Sequence, residues 1–327
     1  MMTDAKEHYP TRFGFFLLGN FTLISMASAV EPLRMANRVC RQPHFSWKTM
    51  SETGGPVLAS DGLSVNVDCS VDAADIYESL DAIIVCGGDR VEEYATEPAL
   101  KFLKSVNQAG IALGSTCTGS YALAMAGLLD GYRCSVHWEN LAALTDRFRE
   151  VQVTRSVYTI DRDRYTCSGG TAPVDMMLHF IRRQLGPEVS VGVAEQFIYE
   201  RIRSSSEEQR VPLRHTIGGQ SEKLIATVEL MEANINEPID QADLATYVGL
   251  SRRQLQRLFH RHLHCTPSRY YLQIRLARAR ELLRQTGMGL VEISSLTGFV
   301  STSHFSKTYK ELYGYPPSAE RRHRESP

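Results

Sequence analysis

Hydrophobic positions in the first two hundred residues alternate between short runs and helical spacing. Phe13–Leu18 and Ala82–Cys86 are apolar runs that end in glycine-containing turns, and Ile111–Gly114 repeats the pattern more weakly. Such runs predict buried strands of a parallel sheet. The stretches with helical spacing are Ile24–Arg38, Pro98–Gln108, Ser120–Leu129 and Val174–Gln184. The β/α alternation predicts a doubly wound α/β domain with helices on both faces of its sheet.

The pattern changes near residue 210. Residues 204–209 read SSSEEQ, and Pro212 and the pair Gly218 and Gly219 follow, which is a composition typical of a linker. From Glu222 to Tyr313 the strand signals disappear and helical periodicity takes over. We therefore expect an α/β domain at residues 10–205, a linker at 206–220 and an all-α domain at 221–325.

The helical half contains an internal repeat of two copies. Ser251, Leu255, Phe259, Leu263, Pro267 and Ser268 recur fifty residues later as Ser301, Phe305, Tyr309, Tyr313, Pro317 and Ser318. Gly249 recurs as Gly298, at an offset of 49, so the second copy has one extra residue in its turn. Each copy reads as a short helix, a glycine-containing turn, a serine N-cap and a second helix. This pattern predicts two helix-turn-helix motifs in an otherwise helical domain.

The outward faces of the two second helices carry side chains that suit DNA. Arginine and glutamine pair with guanine and adenine edges in the major groove, while serine and threonine contact bases or phosphates. A plain helical bundle with a solvated polar face is the alternative. The positions that we expect to bind DNA are Arg252, Arg253, Gln256 and Arg257 in the first copy and Thr302, Ser303, Ser306 and Lys307 in the second.

A strong helical segment, Ser268–Gln285, separates the two copies. Its eighteen residues span about 27 Å. With two helix radii added, this length would place the two second helices roughly one turn of B-DNA, about 34 Å, apart. Arg275, Arg278 and Arg280 on this segment would either contact phosphates or pair with acids of the bundle.

Composition and charge narrow the class of protein. A chain of 327 residues with 43% hydrophobic residues predicts two globular domains and excludes a disordered chain. The net charge of −1 is unevenly distributed along the chain, because residues 221–327 contain 15 Lys and Arg but only 11 Asp and Glu. Ser251–Arg284 contains nine arginines and a single acidic residue, Glu281, which indicates a polyanionic partner. The apolar runs are too short to cross a bilayer, and no secretory signal is visible. The chain has seven scattered cysteines and no CxxC pair, which favours a cytoplasmic protein without a metal site.

The α/β half has one candidate chemical centre, Cys117 in the sequence GSTCTGS, where a predicted strand gives way to a helix. A cysteine at such an elbow lies near the positive end of the following helix, which predicts a lowered thiol pKa. Cys117 would then be a nucleophile or a ligand contact; the alternative is a small buried hydrophobe. His137 and Glu31 are possible partners, and Pro32 predicts that Glu31 lies at a kink or a helix start.

Two stretches resemble known families. The segment ADLATYVGLSRRQLQRLFHRHLHCTPSRYYLQIRLARARELL, followed by ISSLTGFVSTSHFSKTYKELYGYPPSAER, resembles the DNA-binding domain of AraC/XylS-family regulators. This resemblance implies base reading by Arg253, Gln256 and Arg257 and by the second set named above. It also implies activation of transcription through contact with RNA polymerase.

The first half resembles the DJ-1/PfpI, class I glutamine-amidotransferase-like fold through FTLISMASAVEPLRMANR, DAIIVCGGDR, the elbow region and TCSGGTAPVDMMLHFI. By position, Cys117 falls on the elbow cysteine, Glu31 on the first-helix glutamate and His137 on a pocket histidine. Active PfpI-type peptidases place histidine directly after the elbow cysteine, whereas this chain has Thr118. The departure counts against base activation of the thiol and favours ligand binding, for which Trp138 is suited through cation–π attraction.

In this order, the two halves resemble the GlxA subgroup of AraC-type regulators, whose α/β domain is a sensor that dimerises. The resemblance implies a non-enzymatic regulator, without a cofactor, that binds promoter DNA, RNA polymerase and a small effector. Regulators of glycine betaine, carnitine and arginine catabolism are the most similar, so the effector would be a quaternary amine or an amino acid. Expected ligand contacts are Glu31, Cys117, Thr118, His137 and Trp138. A DJ-1-like cysteine hydrolase or glyoxalase, or a redox sensor acting through Cys117, are the alternatives.

Overall fold

The structure, a computed structural model, describes residues 10–73, 76–209 and 222–320. The chain divides into two compact units, Met1–Arg210 and Val211–Pro327. Most of the predicted linker, from residue 210 onward, lies outside the described residues. Among the described helices, none has the length and apolar character that crossing a bilayer requires.

The first unit alternates strands and helices, as predicted. Its strands are β1 (Arg12–Leu17), β2 (Ser46–Ser51), β3 (Val57–Leu58), β4 (Ser64–Val65), β5 (Cys69–Ser70), β6 (Ala82–Cys86), β7 (Ala112–Thr116), β8 (Arg133–Ser135), β9 (Gln152–Thr154), β10 (Tyr158–Asp161) and β11 (Arg164–Cys167). Its helices are α1 (Leu23–Cys40), α2 (Ile76–Ser79), α3 (Val91–Tyr94), α4 (Glu97–Gln108), α5 (Gly119–Met125), α6 (Leu141–Arg147), α7 (Ala172–Leu185) and α8 (Pro187–Gln196), with a 3-10 turn at Trp138–Asn140.

A seven-stranded sheet forms the centre of this unit, in the order β10-β11-β7-β6-β1-β2-β5. All neighbours are parallel except β10, which runs antiparallel to β11. Two small sheets, β3 with β4 and β8 with β9, lie outside it. The chain adds β2 on one side of β1 and later adds β6 on the other side. The loops that follow β1 and β6 therefore diverge, which opens a crevice at the carboxyl ends of these strands.

Alternate residues of β1 enter different hydrophobic cores. Phe13 and Phe15 are fully buried in a core that also contains residues of α1, α7 and α8. Phe16 points to the opposite face and packs with residues of α4 and α5, including Phe102, at 5.4 Å between ring centroids. Because a parallel sheet in a doubly wound fold is covered on both faces, both alternating sets must be apolar. The predicted doubly wound α/β domain is confirmed.

Proline within α1 contradicts one expectation. Pro32 was expected to place Glu31 at a kink or a helix start, but α1 continues through both residues. Glu31 therefore does not lie at a helix start, because the preference of a residue before proline for extended backbone is a local bias that tertiary packing can override. Pro32 and Leu33 are buried against the sheet, so packing holds the helical conformation.

Every regular secondary-structure element among the described residues of the second unit is a helix. Its helices are α9 (Glu222–Ala233), α10 (Gln241–Tyr247), α11 (Arg252–Leu263), α12 (Pro267–Gln285), α13 (Leu290–Leu296), α14 (Thr302–Tyr313) and α15 (Pro317–Glu320). Two cores form within it, one around Leu255 and Phe259 of α11 and one around Phe305 and Tyr309 of α14. Helix α12 contributes Tyr271 to the first core and Leu276 to the second, so it connects the two.

Both predicted helix-turn-helix motifs are present, with the local chemistry that the repeat indicated. Ser251 caps α11 by accepting a hydrogen bond from the Gln254 backbone, and Ser301 caps α14 in the same way through His304. Gly249 and Gly298 adopt φ of 63° and 71°, in the left-handed region that glycine accepts without strain.

Candidate functional sites

Cys117 lies at a sharp elbow between β7 and α5. Its φ is +58°, a conformation that is strained for a residue with a Cβ atom and that requires support from the surrounding chain. Two glycines supply the space. A Cβ atom on Gly119 would lie 2.2 Å from the Val85 carbonyl oxygen, and one on Gly169 would lie 2.8 Å from the Cys117 Cβ. The sequence therefore holds Cys117 in its elbow by leaving the adjacent positions without side chains.

The elbow forms the floor of a cleft of about 700 Å³ at the carboxyl ends of the sheet strands. The cleft is lined by Thr22, Ser60, Gly88, Asp89, Arg90, Val91, Glu92, Glu93, Cys117, Thr118, Tyr121, His137, Glu139, Asn140 and Gly170. Thr118 is fixed by a hydrogen bond from its hydroxyl to the Gly88 carbonyl oxygen at 2.6 Å. The His137 backbone donates to the Cys117 carbonyl oxygen at 3.3 Å. Three of the five predicted ligand contacts, Cys117, Thr118 and His137, therefore meet in one cleft.

Carboxylates dominate the charge of the cleft. Its lining contains Asp89, Glu92, Glu93 and Glu139 but only one guanidinium, Arg90. Glu92 accepts hydrogen bonds from the Tyr121 hydroxyl at 2.6 Å and from Arg147 at 3.0 Å. Glu139 lies 3.6 Å from the His137 ring, and Glu93 pairs with Arg90 at 3.3 Å. These carboxylates are exposed to solvent, and their excess over guanidinium groups in the lining attracts cations.

The environment of Cys117 corrects the expected thiol chemistry. The helix dipole was expected to lower the thiol pKa, but burial raises the pKa of Cys117 and outweighs the hydrogen bonds that favour the thiolate. The Thr22 hydroxyl lies 3.5 Å from the sulfur, and a hydroxyl is not a base at neutral pH. Burial likewise lowers the pKa of His137. Cys117 is therefore a neutral thiol, which is a weak nucleophile.

The remaining two predicted ligand contacts lie elsewhere. Glu31 is half-buried on α1, where its carboxylate pairs with Arg34 at 2.6 Å. The Trp138 ring is tilted by 40° against that of His137, with 5.0 Å between ring centroids, and Trp138 is not among the residues that line the cleft. Sequence reasoning missed Asp89 and Glu92, although the motif CGGDRVEE directly follows strand β6. Polar residues just after a parallel strand were the available signal, because these strand ends form the crevice.

Helix α11 presents a polar outer face opposite its core residues. Leu255 and Phe259 are buried, whereas the expected DNA contacts Arg252, Arg253, Gln256 and Arg257 are all exposed. A face with several long donors, held by a core on the other side, has the form of a major-groove reading helix.

Helix α14 has the same orientation toward its own core but a different outer face. Ser303 and Lys307 are exposed, while Thr302 and Ser306 are half-buried. Apart from Lys307, the side chains expected to bind DNA on this face are short hydroxyls, which reach less far from the helix than the arginines of α11 do.

Arg275, Arg278 and Arg280 of α12 each have a bonding partner within the second unit. Arg275 donates to the carbonyl oxygens of Thr297 and Gly298, at 2.8 and 2.6 Å. Arg280 pairs with Glu320 at 3.1 Å, and Arg278 pairs with Glu281 at 3.0 Å. Arg275 and Arg280 therefore bond to other helices and turns of the bundle, whereas Arg278 forms an exposed pair within its own helix.

The two folds together define the class of protein: an α/β domain joined to two helix-turn-helix motifs is the organisation of a transcriptional regulator. Residues 24–183 match the DJ-1/PfpI family, and residues 244–323 match a helix-turn-helix domain. The chain belongs to the AraC-type helix-turn-helix transcriptional regulators that carry a DJ-1/PfpI domain.

Its relatives share this organisation along most of their length. The chain is 54% identical to the HTH-type transcriptional regulator GbdR of Pseudomonas aeruginosa, covering 97% of this chain and 85% of that protein. It is 35% identical to the HTH-type transcriptional regulator GlxA of Rhizobium meliloti, covering 98% and 99%. A crystal structure of an AraC family transcriptional regulator from Pseudomonas putida matches 57% of this chain and all of that chain, at 34% identity and a TM-score of 0.53.

Proposed function

We propose that this regulator binds a small cationic or zwitterionic metabolite in the carboxylate-rich cleft and thereby changes its affinity for promoter DNA. A quaternary amine or an amino acid, such as glycine betaine, carnitine or arginine, has the required charge. The observation that carries the proposal is the cleft, whose lining places Asp89, Glu92 and Glu139 around a neutral thiol.

A binding role accounts for the cleft better than catalysis does. A cysteine hydrolase or glyoxalase needs a thiolate or an adjacent general base. Here burial raises the pKa of Cys117, and the hydrogen-bonding neighbour of the sulfur is the Thr22 hydroxyl. We therefore infer a protein that binds its ligand without turning it over.

A route for the signal leads from the cleft to the end of the first unit. We name residues 199–209 the exit segment. Its glutamine, Gln209, donates from Nε2 to the carbonyl oxygens of Val136 and Ser156, at 2.9 and 3.2 Å. Val136 directly precedes His137, which lines the cleft and binds the Cys117 carbonyl. A ligand that moves His137 therefore moves the anchor of the chain that leads to the second unit.

A buried carboxylate holds the other end of the exit segment. Asp175 of α7 is fully buried and accepts hydrogen bonds from the Tyr199 hydroxyl at 2.9 Å and from the Arg203 backbone and side chain at 2.7 and 2.8 Å. Between these ends, the Val157 backbone N–H donates a hydrogen bond to the Glu207 carbonyl oxygen at 2.8 Å. Residues 207–209, predicted to belong to the linker, are thus hydrogen-bonded to the α/β unit.

On the DNA side, we propose that α11 and α14 enter successive major-groove segments and that the eight exposed or half-exposed positions named above contact the duplex. Helix α12, of 19 residues and therefore about 28 Å long, sets their spacing. We further propose a homodimer that activates transcription by contacting RNA polymerase.

Calorimetric titration of the full chain tests the ligand proposal. Glycine betaine, carnitine or arginine should bind, whereas the dianion succinate should not. Replacing Asp89 or Glu139 by the isosteric amide, D89N or E139Q, should weaken binding by about tenfold, because a hydrogen-bonded charge partner is lost.

A carboxylate outside the cleft provides the control. Glu195 of α8 is exposed, and E195Q removes the same charge without touching the lining. Equal loss of affinity in E195Q and D89N would show that only overall charge matters, and binding of succinate in place of the amines would overturn the ligand class.

A further inference from the structure

The two helix-turn-helix motifs differ by one residue in their turns, and the structure shows which residue is extra. In the first motif the Leu250 backbone N–H donates a hydrogen bond to the Ala245 carbonyl oxygen at 2.8 Å. In the second motif the Phe299 backbone N–H donates to the Ser294 carbonyl oxygen at 2.9 Å. These bonds make Phe299 the equivalent of Leu250. Because the N-caps Ser251 and Ser301 are also equivalent, the residue without a counterpart is Val300.

Phe299 fills the core position, which leaves Val300 outside the core. Phe299 is 6% exposed, packs against the ring of Phe305 at 5.2 Å between centroids and lies 4.2 Å from the Arg275 guanidinium. Leu250, in the first motif, is likewise packed against its own core. Val300, by contrast, is fully exposed, at 103% of its reference area. Packing therefore gives no reason for a valine at this position.

The position of Val300 supplies a reason. It directly precedes the N-cap of α14, and the first residues of a recognition helix are those that approach base edges. Thymine presents its 5-methyl group in the major groove, where apolar side chains contact it. The neighbouring Thr302 and Ser303 are short and cannot reproduce the long bidentate contacts available to the arginines of α11.

We propose that Val300 contacts a thymine 5-methyl group in the half-site bound by α14, and so determines a thymine preference there. This inference rests on the proposed role of α14 as the second reading helix. It gives the two motifs different modes of recognition: α11 uses hydrogen bonds from arginine and glutamine, and α14 uses apolar contact supported by short hydroxyls and Lys307.

Deoxyuridine substitution tests the contact, since deoxyuridine pairs like thymidine but lacks the methyl group. Duplexes are first selected from a random library with the full-length wild-type protein. Each thymine of the selected duplex is then replaced singly by deoxyuridine. Wild-type protein should lose about fourfold in affinity at one or two thymines, the effect of one buried methyl group. V300A should bind the parent duplex more weakly by a similar factor and should show no further loss at those positions.

A second exposed valine provides the matched control. Val291 of α13 is 72% exposed, and V291A should keep the wild-type sensitivity to deoxyuridine. If V300A retains the full deoxyuridine penalty, or binds the parent duplex as tightly as wild type, the assignment of Val300 is overturned. If V300A weakens binding equally on all duplexes, the contact is unrelated to thymine and the assignment is also overturned. Failure of wild type to enrich any sequence would overturn DNA reading by α14 itself, which is a distinguishable result.

Discussion

At the scale of single residues, Cys117 has the backbone geometry of an elbow cysteine without the reactivity that such a position can give. The elbow gives it a left-handed backbone and a position on the cleft floor. Burial at 7% exposure then keeps the thiol protonated by raising its pKa. An elbow cysteine is thus compatible with a binding site as well as with a nucleophile, and the local environment decides between them.

Replacing Cys117 by serine distinguishes these roles. In C117S, DNA binding should persist, and the affinity for the effector should change by less than about tenfold, because a hydroxyl of similar size replaces the weakly hydrogen-bonding thiol. Calorimetry and fluorescence anisotropy with a labelled duplex measure the two affinities. Hydrolysis of an ester or conversion of methylglyoxal by wild type, abolished in C117S, would instead identify an enzyme.

Glu320 is a second residue whose surroundings set its chemistry. Its side chain is fully buried, and it accepts hydrogen bonds from Tyr309 at 2.5 Å and from Arg284 at 2.5 Å, with Arg280 at 3.1 Å. Burial by itself would raise the pKa of Glu320, but the hydrogen bonds and the charge of Arg284 outweigh it and lower the pKa below its ordinary value of 4.5. The carboxylate therefore ties α15 to α12 and α14 in its charged form.

The pH dependence of stability follows from this direction. A lowered folded-state pKa means that the stabilisation by Glu320 is fully present above about pH 4.5 and is lost as the pH falls through the folded-state pKa. At pH 7, E320Q should lower the free energy of unfolding of the helical unit by about 3 kcal/mol, measured by urea titration followed by circular dichroism. E281Q, which breaks the exposed pair with Arg278, should cost at most about 0.5 kcal/mol. A loss in E320Q that stays constant from pH 7 down to pH 3 would contradict the charged role.

At the scale of elements, the recognition helices follow directly from amphipathic spacing. Buried Leu255 and Phe259 on one side of α11 leave Arg253 and Arg257 on the other. The same spacing in α14 buries Phe305 and Tyr309. Spacing predicts which face of each helix is exposed. The turn before the helix determines which further residue is exposed next to that face, and before α14 this residue is Val300.

Arg257 provides the test of base reading by α11. R257A should weaken binding to a selected duplex by about 1–3 kcal/mol and relax the preference at one position, if the guanidinium reads a base. R278A removes the same charge from α12, where the arginine pairs with Glu281, and should have little effect. Competition binding with duplexes varied at each position measures both. A uniform loss across all duplexes in R257A would make Arg257 a phosphate contact.

The exit segment is the element that we expect to transmit the effector signal. Q209A removes both hydrogen bonds to Val136 and Ser156 without touching the cleft lining. Effector binding and basal DNA binding should persist, but the effector should no longer change the affinity for DNA. Anisotropy titrations with and without effector measure this coupling.

An exposed glutamine offers the control for this prediction. Gln256→Ala alters DNA contact and should leave the ratio of affinities with and without effector unchanged. An unchanged ratio in Q209A would contradict the route through the exit segment.

At the scale of the whole molecule, the fold class could be read from the sequence because its signals are local and repeated. Strand β6 was predicted with its observed bounds, and α12 to within one residue, since each is an uninterrupted pattern between clear turn residues. Short elements such as β8 and β9 gave no such signal. Strands of three residues contain too few alternations to be recognised and depend on their partners in the sheet.

The candidate site was predictable only where one motif forms it. Cys117 and Thr118 belong to the elbow motif and lie where they were expected. Asp89 and Glu139 come from loops that are distant in the sequence, and sheet order brings them to the same cleft. Glu31 matched a family position, but it pairs with Arg34 on α1 and is not among the residues that line the cleft.

The sequence by itself determined the two-domain organisation, the duplicated helix-turn-helix pattern and the elbow cysteine, because periodicity, capping residues and glycines act over a few neighbouring residues. Tertiary structure alone decided the charge of the cleft, the protonation of Cys117, the internal pairing of Arg280 and the exposure of Val300. Each of these depends on burial and on partners far along the chain, and burial is a property of the packed molecule rather than of any segment.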